Sequence, residues 1–161
     1  MGGILIIQGE IRKYFSEPIT QHDCDRAGAK LHDPTFISVW EALAILVALR
    51  LWLPRAPALT RFEIKSDSIA ALKSLEKGSS RSKPLNEVIR EISLMEALHG
   101  SSFIVTKHIP GVANSVPDAL SRLSAPAPHK IPDVLSTAKL EMSLPRDDKF
   151  WVTSGERARA R

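Results

Sequence analysis

Three carboxylates stand where chemistry is easiest to build. Glu41 lies in Val39-Trp40-Glu41-Ala42-Leu43-Ala44-Ile45, an otherwise apolar stretch. Asp67 ends the run Phe62-Glu63-Ile64-Lys65-Ser66-Asp67-Ser68. Asp118 lies in the long run from His108 to Arg122, after the turn signal Pro110-Gly111. Acids delivered to one place by three separate elements are the hard oxygen ligands that a divalent cation takes. Each also has a plainer reading. A Glu in the first turn of a helix is favoured by the helix dipole and can look at solvent. Inside the apolar stretch it is costly unless something pairs with it. Asp67 or Ser68 would serve as an ordinary N-cap for the segment that follows. His22, Cys24, Asp25 and His32 match no zinc-site count or spacing, so they read as a solvated loop.

The elements that must hold these acids can be followed in order. Gly3–Gln8 and Ile11–Ser16 read as strands around a Gly9-Glu10 turn, a hairpin. Residues 20–35 are polar and loop-like, with Asp33-Pro34 as a breaker. Phe36–Leu53 is apolar on nearly every face, the pattern of a central buried helix, and Pro54 and Pro57 stop it. Arg61–Ser66 alternates charged and apolar residues, the period of a strand, and places Asp67 at its carboxyl end. Ile69–Lys77 is a short helix closed by Gly78. Leu85, Val88, Ile89, Ile92 and Met95 form the core stripe of another helix, opened by Pro84. Ser102–His108 is a strand. A last helix, capped by Asn114 or Ser115, runs to about Leu123 with Pro117 in its first turn. Beyond Ser124 the texture changes: Ala125-Pro126-Ala127-Pro128 and Ile131-Pro132 read as an extended linker, and Val134–Met142 as a short helix. Arg157, Arg159 and Arg161 could touch phosphate, but read first as a solvated end.

Composition narrows the class. With 161 residues, 43% of them hydrophobic, the chain is long and apolar enough for one packed domain. The net charge of +4 divides evenly: 15 Lys/Arg against 13 Asp/Glu over residues 1–124, and 7 against 5 over 125–161. No basic run announces a nucleic-acid partner. A lone cysteine, Cys24, excludes an internal disulfide and suits a reducing compartment. The start lacks the charged region of a secretion signal, and Ile6 stands where myristoylation needs Ser or Thr. Glu41 and Arg50 interrupt the only apolar run near membrane-spanning length, so the expectation is a soluble, intracellular protein without a membrane partner.

With its carboxylates, the order strand, strand, helix, strand, helix, helix, strand, helix resembles the ribonuclease H fold, most closely the copy carried by retrotransposon reverse transcriptases. Trp40-Glu41-Ala42-Leu43-Ala44-Ile45 is similar to the family's helix with its catalytic Glu. Ser66-Asp67-Ser68 with Ala70-Ala71-Leu72 is similar to its fourth strand running into a helix. His108-x-x-Gly111-x-x-Asn114-x-x-x-Asp118-Ala119-Leu120-Ser121-Arg122 is similar to its last strand-to-helix junction, and is the most specific of the three. The resemblance covers residues 2–124. It implies an α/β domain over 1–124, a mixed sheet flanked by helices; residues 125–161 lie outside it and read from their prolines as a partly disordered linker and tail.

The resemblance also implies a chemistry: cleavage of the RNA strand of an RNA–DNA hybrid by two Mg²⁺ ions, or Mn²⁺ in their place. The ions would sit about 4 Å apart and serve the attacking water and the leaving oxygen. Glu41, Asp67 and Asp118 would hold them, and His108 would assist water activation or product release. Nucleic acid, and the rest of a reverse transcriptase polyprotein, are the implied partners. The family's first strand, with a further Asp that bridges both metals, has no counterpart, because Met1-Gly2-Gly3-Ile4-Leu5 already looks like the second strand. The expectation is an N-terminally truncated retroelement product with impaired cleavage, or a non-catalytic nucleic-acid-binding or structural module of the same fold. Without that strand, Arg61–Asp67 keeps an unpaired edge. Either the hairpin shifts inward to cover it or another polypeptide does.

Overall fold

A computed structural model describes residues 1–57, 60–99, 103–125, 129–143 and 145–151. The chain is a mixed α/β protein with two small sheets. Strand β1 (Gly2–Ile7) and strand β2 (Glu10–Ser16) form the expected antiparallel hairpin. Its two-residue turn, Gln8-Gly9, has φ of 53° and 82°, the left-handed conformation that tight hairpins require. A register shift between Leu5 and Ile6 leaves Arg12 as the extra residue of a bulge.

Residues 20–35, expected to be loop, contain helix α1 (Gln21–Ala27). A capping box stabilises it: the Asp23 amide donates to Thr20 Oγ1 at 3.1 Å and the Thr20 amide to Asp23 Oδ2 at 2.8 Å. Gly28, at φ 65°, ends it. Thr20-x-x-Asp23 with Gly28 was the readable signal, hidden by the polarity between them. Asp33 caps a 3₁₀ turn at Pro34–Phe36, leading into helix α2 (Ile37–Trp52).

By length and composition α2 and its flanks could cross a membrane. Here Val39, Ala42, Leu43, Leu46 and Val47 are buried against the other elements. Helix α3 (Ile69–Lys77) and helix α4 (Lys83–Leu98) pack on α2 and connect strand β3 (Arg61–Ser66) to strand β4 (Phe103–His108). That helical crossover makes β3 and β4 parallel, with Ser66 opposite His108. Ser102 and Gly100 lie outside the described residues. Burying each of Phe15, Leu43, Leu46, Ile89 and Ile92, all fully enclosed, contributes about 1.5–3 kcal/mol.

The hairpin buries both faces. Leu5 and Phe15 face the α2 core, where Phe15 meets Trp52 at a ring separation of 5.9 Å. Ile4, Ile11 and Tyr14 face the other way, onto Leu120 and Leu135. Leu120 belongs to helix α5 (Ser115–Ser121), which ends two residues before the expected Leu123. Two glycines let these layers close. A Cβ on Gly2 would lie 2.4 Å from Leu120 Cβ, and one on Gly3 would lie 2.5 Å from Phe15 Cε1. Gly2→Ala should therefore cost about 1–3 kcal/mol as overpacking and push away the helix that carries Asp118. A thermal melt checks it: an unchanged Tm would show that α5 does not pack this closely.

Beyond Ser124 the expected helix over Val134–Met142 is absent. A 3₁₀ turn at Asp133–Leu135 leads instead into strand β5 (Lys139–Leu140), parallel to β2. Pro132 and the β2 edge dictate this: the edge offers unpaired backbone groups, and the Glu141 amide donates to the Tyr14 carbonyl at 2.8 Å. The Glu141 carboxylate is buried and accepts from Trp52 Nε1 (3.0 Å), Lys13 Nζ (3.1 Å) and Arg55 Nη1 (3.1 Å). Burial alone would raise its pKa, but Lys13, Trp52 and Arg55 outweigh that and hold it below the usual carboxylate value. Arg146 reaches Asp23 and Glu17, and Phe150 and Trp151 enter the α2 core. Residues 126–128 and the terminal Arg157, Arg159 and Arg161 lie outside the described residues.

The hairpin has not shifted onto β3. Among the described residues β3 pairs with β4 alone, and β1 with β2 alone, so the two sheets stay separate.

Candidate metal-binding carboxylate site

Three elements deliver the acids. Glu41 lies in the second turn of α2 and is partly buried, so it is not the solvent-facing first-turn Glu of the plainer reading. Burial pushes its carboxyl above the ordinary range, and the negative charge of Asp67 pushes it further. The N-terminal ammonium partly offsets this, and Asp118 adds a smaller push upward. These couplings bring all three acids within electrostatic reach of one another. That ammonium donates to the Glu17 carbonyl at 2.8 Å.

Asp67 follows β3 directly and is exposed. It is not the cap of α3. Ser68 takes that role, its Oγ accepting from the Ala71 amide at 3.3 Å, while Ser66 Oγ accepts from the Ser68 amide at 3.1 Å. With the backbone served by two serines, the Asp67 carboxylate is left to point elsewhere. Its Oδ1 accepts from Asn114 Nδ2 at 3.0 Å, and a Cβ on Gly111 would lie 3.4 Å from its Oδ2. Asn114 stands at the N-cap position of α5, one of the two expected, but its side chain does not cap the helix. It spends its amide on Asp67, because a 3₁₀ turn at Gly111–Asn114 already leads the chain into α5.

Asp118 sits in the first turn of α5. Its Oδ1 accepts from Arg122 Nε at 3.1 Å and Nη2 at 3.0 Å, an exposed i, i+4 pair. His108 ends β4, is exposed, and lies opposite Ser66, at the same end of the sheet as Asp67. The Ile109 amide donates to the Ser66 carbonyl at 3.0 Å and ties the two strand ends together. Asn114 and Arg122 are the partners that single-residue reading misses, although both stand within the His108–Arg122 run.

In kind, the donors suit a hard divalent cation: carboxylate oxygens with an excess of negative charge, felt most by Glu41. In spacing they do not yet converge. Among the described residues no three His, Cys, Asp or Glu side chains are grouped closely enough to hold a metal ion. Two of the three acids are turned to their own partners, Asp67 to Asn114 and Asp118 to Arg122. No family model, curated protein or solved structure matches the chain.

Proposed function

We propose that this chain is a ribonuclease H-like module. Glu41, Asp67 and Asp118 would bind Mg²⁺ or Mn²⁺ against the phosphates of an RNA–DNA hybrid, and its hydrolytic power would be impaired. What supports this reading is that a helix, a strand end and a second helix carry the three carboxylates within reach of one another's charge, so that Asp67 and Asp118 add to the burial that raises Glu41. A divalent cation bound there would offset this crowded negative charge. A bound cation would polarise the phosphoryl oxygen and acidify a water. Within the chain, Glu41 is anchored by a buried helix, Asp67 is oriented by Asn114, and Asp118 would be freed if Arg122 turned to a phosphate. His108, exposed at the end of β4 opposite Ser66, would assist water activation or product release.

Sheet organisation supports the family reading. Among the described residues β1 pairs only with β2 and β3 only with β4, so β1 and β3 each keep an unpaired edge. A strand inserted between them would join the two sheets in the family's order and would bring the first Asp. A non-catalytic reading also has a specific support, the grip of Arg122 on Asp118, which leaves a module that binds nucleic acid without cutting it.

A labelled RNA–DNA hybrid incubated with the protein and Mg²⁺ or Mn²⁺ tests the proposal. Divalent-dependent binding is expected, with at most slow cleavage of the RNA strand that Asp67→Asn removes. Cleavage that survives Asp67→Asn, or hybrid binding indifferent to divalent cations, would rule out the metal site.

A further inference from the structure

The two sheets differ in how they are covered. The hairpin is enclosed by α2 on one face and by α5 with the Asp133–Leu135 turn on the other. Among the described residues the β3–β4 pair is covered on one face only, where Phe62, Ile64 and Ile104 meet the helical core. Arg61, Glu63, Lys65 and Lys107 project from the opposite face and are exposed. Registration sets Lys65 directly beside Lys107 on the neighbouring strand. Like charges placed side by side on adjacent strands are destabilising unless an anion offsets them. Glu63 supplies one such charge, to Lys65 at 3.0 Å. It is the single ion pair on this face among the described residues. Its own carboxyl is held below the ordinary range by Lys65 first, with Lys107 and Arg61 also contributing, so all three cations converge on one patch.

We propose that the open face of β3–β4 is a backbone-phosphate track for nucleic acid, with Arg61, Lys65 and Lys107 as its contacts. From Arg61 to Lys65 the strand spans about 13 Å, and two residues further on it delivers Asp67 to the carboxylate site. Among the described residues this face carries three cations and one acid around the half-buried Val105, a charge pattern that matches a regularly charged polyanion better than a folded protein surface. The track rests on the reading above that the chain engages nucleic acid, and it extends that contact away from the metal site.

The test is fluorescence anisotropy of a labelled 20-base-pair RNA–DNA hybrid in EDTA across a salt series. It compares the natural chain with Lys65→Ala/Lys107→Ala, Lys65→Arg/Lys107→Arg and Glu41→Gln. Loss of two phosphate contacts should reduce the slope of log K against log salt by about 1.8 and weaken binding about tenfold or more at low salt. The arginine pair should keep both. Unchanged slope and affinity in the alanine pair would overturn the track, as would polyglutamate of equal charge competing as well as the hybrid. The two proposals fail separately. If the alanine pair loses binding in EDTA while divalent cations affect no variant, the track stands and the metal site falls. If divalent cations promote binding in the natural chain but not in Glu41→Gln, and the alanine pair is normal, the reverse holds.

Discussion

Arg146→Ala should destabilise the protein by about 3–5 kcal/mol, the usual cost of removing one partner from a buried charge cluster. The Arg146 side chain is 5% exposed, and its partners Glu17 and Asp23 are 5% and 0% exposed. Its Nε donates to both Asp23 oxygens at 3.0 Å, one guanidinium nitrogen pairs with Glu17, and Nη2 donates to the Pro18 carbonyl at 2.5 Å. Glu17 is held further by the Ser143 amide and hydroxyl. Alanine would leave two enclosed carboxylates without their cation, and the segment over 139–151 would lose its latch. With it would go the cover that Phe150 and Trp151 give the α2 core. Arg146→Lys keeps the charge but not the planar fork that spans two acids, so it should fall between the two. Chemical denaturation of the three proteins decides this. A loss under about 1 kcal/mol in Arg146→Ala would mean the latch is solvated and contributes like an ordinary surface pair.

At the carboxylate site, Glu41→Gln should have opposite effects on stability with and without a divalent cation. The Glu41 carboxyl is raised in the folded state from an ordinary value of 4.5. The fold therefore binds this proton more tightly than the unfolded chain does. Stability declines as pH climbs from the unfolded value through the folded one, and above that the ionised group is a constant cost. Gln removes the cost, so in EDTA at pH 7 the variant should melt higher than the natural chain, with the gain vanishing below about pH 4. Adding Mg²⁺ or Mn²⁺ reverses the ranking. A cation bound only by the folded state stabilises it by about 2.7 kcal/mol at a hundredfold excess over Kd. The natural chain should show that rise, while Glu41→Gln and Asp67→Asn should lose most of it. Equal cation-induced shifts in all three would remove Glu41 and Asp67 from any metal site.

Much of this molecule is visible in its amino-acid order. Strands β1 to β4 and helices α2 to α4 follow from local physics: alternation in Arg61–Ser66, the apolar run of α2 ended by Pro54, and the stripe from Leu85 to Met95 opened by Pro84. Period and punctuation are properties of neighbouring residues, and so survive without knowledge of the fold. The three carboxylates were legible as candidates for the same reason: each interrupts or ends such a pattern. Their electrostatic coupling was not, because Glu41, Asp67 and Asp118 come within reach of one another's charge only through the packing of α2, the end of β3 and α5.

The tail shows the limit most clearly. Polar and proline-containing, it reads as linker, yet Arg146, Phe150 and Trp151 are held by Glu17, Asp23 and the α2 core, more than a hundred residues away in the first two cases. Net charge behaves the same way. Arg61 and Lys65 are more than 40 residues from Lys107 and form no basic run, so composition announced no basic surface. Parallel pairing of β3 with β4 sets Lys65 against Lys107 and leaves their face open. The chain alone determined β1 to β4, α2 to α5 and its candidate acids, since these rest on local periodicity and residue chemistry. The tertiary structure alone decided that Asp67 is released from capping, that Arg122 holds Asp118, that the tail latches the core, and that the basic residues share a face. Each of those depends on contacts between distant segments, whose partners no local pattern specifies.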